Sequence, residues 1–513
     1  MLKEIDDRTN RFARLFLENE IEVSRAFEKF SVGLAGNSKV LKTFNGQIMA
    51  MTAMNLLSRF HPRVNVDIDP EIRRAVWMPF SMHSSLVDSL KNMATLVGSN
   101  AVSRCLPDLD ILISVGTTAN SAEYKIVINS DGWLAFMNRG YGETDFVSEN
   151  QNPIGAHVAA CFGVADVFRR LLYLVGSRQR PILREPKPLV FSALDYSVDN
   201  PKAQNPLMPQ ETDAGAIVVG AGAVANGLIY ALSTLPQVRG NVKVVDCQSF
   251  EETNINRCLM VCLRHVGINK AEALASSQFS KLNIVPFPTT YEEFRKDNVA
   301  TDFDLVVSTV DSNDTRIRIQ SDLPRILLHG ATGEHVSTIS RHSFVEGACL
   351  GCLFLEQGSS ALVTTSTKTG LPMQEVEELL SGDAQVTEEH ISVIAKRTGI
   401  EVKRLQDYVG RPFTELYTKE VCGMMGIKLG DEEFAASVSF VSALPGVLLA
   451  GEIIKERSQN LSCFRLDNYM TLSLFNPSAR WLCQRTKDER CLCMCSHPIM
   501  QDAYRQKWCG ETK

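Results

Sequence analysis

The chain has 513 residues, 44% hydrophobic and 22% charged, and its 53 Lys and Arg against 59 Asp and Glu leave a formal net charge of −6. That length suggests about three structural units with ample core, and that charge leaves no basic footprint for nucleic acid. Fourteen cysteines in a chain whose opening, MLKEIDDRTNRF, is too charged for a signal peptide argue for a cytoplasmic protein with reduced thiols, metal ligation or thiol chemistry.

Residues 1 to about 30 read as helix, with Phe12, Leu15, Phe16 and Ile21 apolar beside charged faces. A strand is expected over Lys39 to Phe44, a helix over Ile48 to Leu57, and a short strand over Val64 to Ile68 that ends near Asp69. Another strand, LDILISV, is expected at 109–115 and a helix at 152–172. A linker of roughly Asp195 to Thr212, carrying Pro201, Pro206 and Pro209, closes this part.

The next stretch organises the chain. Ile217 to Val219 is a β-branched run, and Gly220 and Gly222 make a turn with Ala225 in the third position. Asn226 to Leu235 has helical period, and Val242 to Val245 leads into Asp246. Strand, glycine turn, helix, strand and acid form the dinucleotide-type fingerprint. Gly220 permits the turn, Gly222 lets backbone amides approach a phosphate, the helix N-terminus favours the anion, and Asp246 suits a ribose hydroxyl.

Asn254, Arg257, Lys270 and Asp311 sharpen this reading; Asp311 ends the apolar run DLVVSTVD. A nicotinamide site needs no pair of cations beside its pyrophosphate. An amide, two cations and a strand-end acid suit ATP, with Arg257 and Lys270 on phosphate charge and Asp311 on Mg²⁺.

Beyond Asp311, RILLHGAT at 325–332 reads as strand. Cys349 and Cys352 form a CxxC, and Cys491, Cys493 and Cys495 a late CxCxC; four of these five would make a tetrahedral zinc site, with His497 a further candidate. Residues 353–375 read as a polar loop and 373–410 as two or three short helices. The longest uncharged run, Phe434 to Gly451, holds three serines, Pro445 and Gly446 and reads as buried helix, so no membrane span is expected. Leu461 to Leu474 reads as terminal strands, with Cys463 inside them.

The D-x7-N-x2-R…K…D pattern resembles that of the ThiF-like adenylating enzymes that activate ubiquitin and ubiquitin-like proteins, and the resemblance covers nearly the whole chain. One departure is Cys258, which stands where the family usually has Gln. The resemblance implies an α/β protein with two Rossmann-like ThiF-type adenylation folds, a helical catalytic-cysteine insertion and a zinc knuckle. Its expected parts are a degenerate fold over 1–205, an active fold over 206–360 and 426–513, and the insertion with a crossover loop over 361–425. The first part echoes the second, but Thr43-Phe44-Asn45-Gly46 replaces the glycine turn and no acid ends the 109–115 strand.

Arg8-Thr9-Asn10-Arg11 resembles the family's R-x-N-R, whose arginine reaches the phosphates of the partner fold; Arg11 is implied in that role, with Arg8 second. Cys422 stands where the family places its thiol nucleophile. Implied cofactors are ATP, Mg²⁺ and structural Zn²⁺. Implied partners are a ubiquitin-like protein ending in glycine and a conjugating enzyme, with the two folds paired as a pseudo-dimer in one chain, as monomer or homodimer. The chain leaves no expected room for a ubiquitin-fold domain after Cys495, and this shorter plan resembles the activating enzymes of bacterial ubiquitin-like conjugation operons, some linked to phage defence. The alternatives are adenylation alone for a sulfur carrier, a non-enzymatic scaffold, and a nicotinamide oxidoreductase.

Overall fold

The computed structural model describes residues 9–10, 12–13, 16, 23–80, 83–103, 109–138, 146–176, 188–200, 202–276, 281–298, 303–333, 335–353, 365–366, 369–372, 375–376, 378–379, 385–398, 400–421, 437–478, 480–487, 491 and 495–510. Arg8, Arg11, Cys422 and Cys493 lie outside them, as does most of the expected crossover loop. Among the described residues no helix is long and apolar enough to cross a membrane. One compact unit is formed by Met1–Cys352 with Ala436–Lys513, and a second by Leu353–Ala435.

The larger unit contains two sheets. In the first, β1 (Val32–Gly36), β2 (Arg63–Asp67), β3 (Asn100–Ser103), β4 (Leu109–Val115), β5 (Ala122–Asp131), β6 (Leu134–Asn138) and β7 (Leu189–Ser192) lie in the order β3-β2-β1-β4-β5-β6-β7. The second has β8 (Thr212–Asp213), β9 (Ala216–Val219), β10 (Val238–Val245), β11 (Leu282–Phe287), β12 (Leu305–Ser308), β13 (Ile326–Thr332), β14 (Val336–His342), β15 (Tyr469–Ser473) and β16 (Arg480–Cys483). Its order is β11-β10-β9-β12-β13-β14-β15-β16, with β8 beside β10. Strands are parallel through β5 and through β13, and antiparallel beyond. The two sheets therefore repeat one order, each with its first long strand at the centre and a switch point beside it, between β1 and β4 and between β9 and β12. A switch point opens a crevice at the strand C-termini.

Two expectations are corrected. The first strand is Val32–Gly36, and Lys39 to Phe44 is not extended: the Asn37 side chain accepts the Lys39 N–H at 2.9 Å and starts the short helix Ser38–Leu41. Local capping overrides the apolar run there. Cys463 sits in the 3₁₀ turn Gln459–Phe464, and the terminal strands begin only at Tyr469.

The halves pack through the helices Phe44–Leu57 and Ile154–Val175 of the first and Ala223–Ser233 and Ser439–Arg457 of the second. Aromatic rings fill the joint: Phe168 meets Phe60 at 5.0 Å, Phe440 at 5.4 Å and Phe12 at 5.5 Å between centroids. Each such pair adds about 0.5–1.5 kcal/mol beyond the apolar area it buries. Phe12 also fixes the N-terminal segment, whose Thr9 and Ala13 are fully buried.

Candidate functional site

The site is built at the C-terminal end of the second sheet. Gly220 follows β9 with φ +91, and a Cβ there would meet Val310 Cγ1 at 3.0 Å and Thr309 C and Val310 N at 3.1 Å. Gly222 caps the helix Ala223–Ser233 without any side-chain capping bond, and nothing lies within 4 Å of where its Cβ would be. No side chain therefore caps the first amides of that helix, an arrangement suited to an anion. Asn226 holds the turn from inside, donating to the Ala221 and Gly222 carbonyls at 3.1 and 2.9 Å while its Oδ1 accepts the Met260 N–H at 3.2 Å. Gly220→Ala is expected to cost about 1–3 kcal/mol in thermal unfolding, because the left-handed backbone and the Val310 contact both resist a side chain. Gly222→Ala is expected to stay within about 0.5 kcal/mol.

The equivalent place in the first half is covered by its own chain. Thr43 Oγ1 accepts the Gly46 N–H at 3.0 Å, and a Cβ on Gly46 would fall 2.0 Å from the Val40 carbonyl oxygen. The helix Ser38–Leu41 thus sits where an anion would have to lie.

Asp246, half-buried at the end of β10, accepts the Ala221 N–H at 2.7 Å and the Gln248 N–H at 2.8 Å, so its carboxylate lies against the glycine turn. Asn269 donates to the Asp246 carbonyl at 2.9 Å, and Lys270 Nζ donates to Gln248 Oε1 at 2.7 Å, which brings the lysine to the same strip. On the other side, Thr309 Oγ1 donates to the Gly220 carbonyl at 2.7 Å and ties the end of β12 to the turn. Asp311 lies two residues on, exposed, and its charge acts on Arg316. Burial pushes the Arg316 guanidinium down to about 10, with Asp311 opposing, and Arg316 Nε donates to the Val310 carbonyl at 3.0 Å. Arg316 escaped sequence reading because it falls on the helix Asn313–Ser321 after the strand-end acid, although its spacing of five from Asp311 was visible.

Asn254 is buried, and its Oδ1 accepts the Glu251 N–H at 3.1 Å, closing a capping box on the 3₁₀ turn Glu252–Asn254. Arg257 Nη1 donates to the Thr253 carbonyl at 3.1 Å, while its Nε and Nη2 have no partner among the described residues. Cys258, at the position where the sequence departs from the family pattern, is buried. Ala225 is buried in the helix of the glycine turn.

Far along the chain, the Sγ atoms of Cys349, Cys352, Cys491 and Cys495 all lie within 4.8 Å of one another. Three of the separations are 3.8 Å for Cys349–Cys352, 3.7 Å for Cys349–Cys491 and 3.4 Å for Cys352–Cys495. Sulfurs about 2.3 Å from a shared tetrahedral ion stand about 3.8 Å apart, so these four residues could hold zinc as they are. His497 is engaged elsewhere, its Nδ1 accepting the Ile499 N–H at 3.2 Å as cap of the helix Pro498–Cys509.

The second unit is helical, with Glu388–Thr398, Val402–Leu405 and Phe413–Leu416 around Leu379, Ile394, Leu405 and Tyr417. Its described residues include a π-helical turn, Tyr417–Val421, that directly precedes Cys422 in sequence. Such turns are rare and recur at functional sites. Glu420 in that turn accepts the Tyr408 O–H at 3.0 Å and pairs with Arg404 at 2.6 Å.

Residues 31–180 match the BilD N-terminal domain, and residues 209–493, more than half of the 513, match the ThiF family. The chain is 27% identical over 505 residues to the uncharacterized protein y4jF of Sinorhizobium fredii, covering 94% of this chain and 92% of that one. It is 26% identical over 163 residues to the adenylyltransferase and sulfurtransferase UBA4 of Meyerozyma guilliermondii, covering 30% of this chain and 38% of that one. Among solved structures, E. coli MccB with succinimide aligns over 70% of this chain and 96% of its own at 12% identity and a TM-score of 0.34. On the match that spans its second sheet and three of the four clustered cysteines, the chain belongs to the ThiF family.

Proposed function

We propose that this protein uses ATP to adenylate the C-terminal glycine carboxylate of a ubiquitin-like protein and then takes the acyl group onto Cys422. The observation that carries the reading is the helix N-terminus at Gly222, which no side chain caps, with the Asp246 carboxylate accepting the adjoining Ala221 N–H and Lys270 tied to Gln248 beside Asp246. In the first step a carboxylate oxygen of the carrier attacks the α-phosphorus of ATP. An acyl–phosphate bond forms, the α–β anhydride bond breaks and pyrophosphate leaves. The helix amides, Arg257 and Lys270 stabilise charge that moves to the leaving group, with Arg11 added from the first half. Mg²⁺ on Asp311 supplies further charge neutralisation when bound. No base is required, because a carboxylate is already the nucleophile at neutral pH. In the second step the Cys422 thiolate attacks the acyl carbon and AMP leaves, giving a thioester for a conjugating enzyme.

The covered crevice of the first half supports one nucleotide per chain. The test is exchange of pyrophosphate into ATP that depends on the carrier. Adenylation without a thioester, as the name of the UBA4 relative suggests for that protein, is the second reading; exchange without any thiol-sensitive adduct would favour it.

The four cysteines are assigned to one structural zinc, which staples the tail to the strand end near Cys349. One zinc per chain is expected by elemental analysis, and Cys491→Ser is expected to lose it. The tail helix keeps other ties: Tyr504 O–H donates to the Arg325 carbonyl at 2.6 Å and Trp508 Nε1–H to the Leu323 carbonyl at 2.7 Å. Metal removal should therefore lower stability by about 2–4 kcal/mol without unfolding the whole unit.

A further inference from the structure

The turn that carries Arg257 hangs on the other half of the molecule. Arg59, just past the helix Phe44–Leu57, is fully buried. Its Nη1–H donates to the Ile255 carbonyl, and its Nη2–H groups donate to the Leu259 and Val261 carbonyls, both at 3.1 Å. Asn55, one helical turn earlier, accepts the Arg59 Nε–H at 2.9 Å and donates Nδ2–H to the same Leu259 carbonyl at 3.1 Å. Two side chains of the first half thus close around residues 255–261, and Arg257 lies inside that span. A further tie to the span is Asn226, which accepts the Met260 N–H from beneath the glycine turn.

Among the described residues no carboxylate pairs with Arg59; its acceptors are carbonyl oxygens and one amide. Burial lowers its pKa only to about 10, so it is a cation at neutral pH. An isolated buried charge is expensive unless its hydrogen bonds are satisfied. A staple between halves could be neutral, as Asn55 is. A guanidinium fork has the reach and the fixed angles to hold three separate carbonyls of one turn.

We propose that Arg59 is a positioning residue for the nucleotide: from the first half it sets the 255–261 turn so that Arg257 stands at the phosphates. The half whose own crevice is covered would then be a required part of the site. This rests on the adenylation reading of the second half.

The test is calorimetric titration of the full chain with Mg·ATP and with AMP, using wild type, Arg59→Lys, Arg257→Ala and the double variant. Lysine keeps the charge and loses the fork. Arg59→Lys is expected to weaken ATP about tenfold and AMP less than about twofold. In the Arg257→Ala background the same change is expected to weaken ATP by less than about twofold, because the two residues act as one. Equal weakening of ATP and AMP, losses that multiply in the double variant, or unchanged ATP affinity in a folded Arg59→Lys protein would each overturn the proposal. If Arg59→Lys does not fold, Asn55→Ala takes its place in the same cycle, with about a threefold loss expected and the same outcomes decisive. A wild-type protein that does not bind Mg·ATP would instead overturn the adenylation reading.

Discussion

Alanine at Asp311 is expected to lower carrier-dependent ATP–pyrophosphate exchange by about 10³-fold, or about 4 kcal/mol of transition-state stabilisation. The carboxylate stands exposed beyond β12, at the switch point between β9 and β12, where Thr309 ties the strand end to Gly220. It makes no hydrogen bond or ion pair among the described residues, so its removal leaves no buried partner unsatisfied. The expected change in stability is within about 0.5 kcal/mol. Arg316, which loses the favourable charge of Asp311, stays protonated at neutral pH. Asp311→Asn should behave like alanine if metal binding is the role, because the amide keeps the shape and gives up the charge. Exchange kept within about tenfold in both variants would remove Asp311 from the site.

Cys422→Ala is expected to act on the second step alone. After incubation with carrier, ATP and Mg²⁺, the wild-type protein should give a thiol-sensitive adduct on a non-reducing gel, and the variant should give none. Pyrophosphate exchange should survive within about threefold, since the adenylate forms before the thiol is needed. The segment that leads to this residue supports the assignment. The Tyr417–Val421 turn before it in sequence is π-helical, and Glu420 is held by Tyr408 and Arg404. An adduct that persists in Cys422→Ala would place the thioester on another cysteine. Among the described residues the exposed ones are Cys247, Cys463 and Cys509, and Cys247 directly follows Asp246.

The centre of the second sheet was legible because its signals are local, whereas β11, β14 and β16 were not expected. The run Ile217–Val219, the glycine turn and the run into Asp246 each follow from a few adjacent residues, and the structure places β9, the helix that starts at Ala223 and β10 there. The zinc candidates were legible for the same reason; of the CxCxC, Cys491 and Cys495 join the cluster, and Cys493 lies outside the described residues. The first sheet was harder. Its central strand reads VGLAG, with two glycines and little β-branched character, so the eye moves to the apolar run after it. Only the Asn37 cap shows that run to be helix. The antiparallel strands β6 and β7 are short and take their place from β5, a partner that no local pattern names. Arg59 and Asn226 were illegible for a related reason. Each works through backbone carbonyls or amides distant in sequence, and an arginine past a helix end or an asparagine within a helix carries no sign of that.

The most direct measurement is exchange of labelled pyrophosphate into ATP by the purified full chain with Mg²⁺ and a candidate ubiquitin-like carrier that ends in glycine. The account predicts exchange that requires the carrier and disappears when the carrier's terminal glycine is deleted. Tight binding of NAD(H) with no exchange under any carrier condition would contradict it.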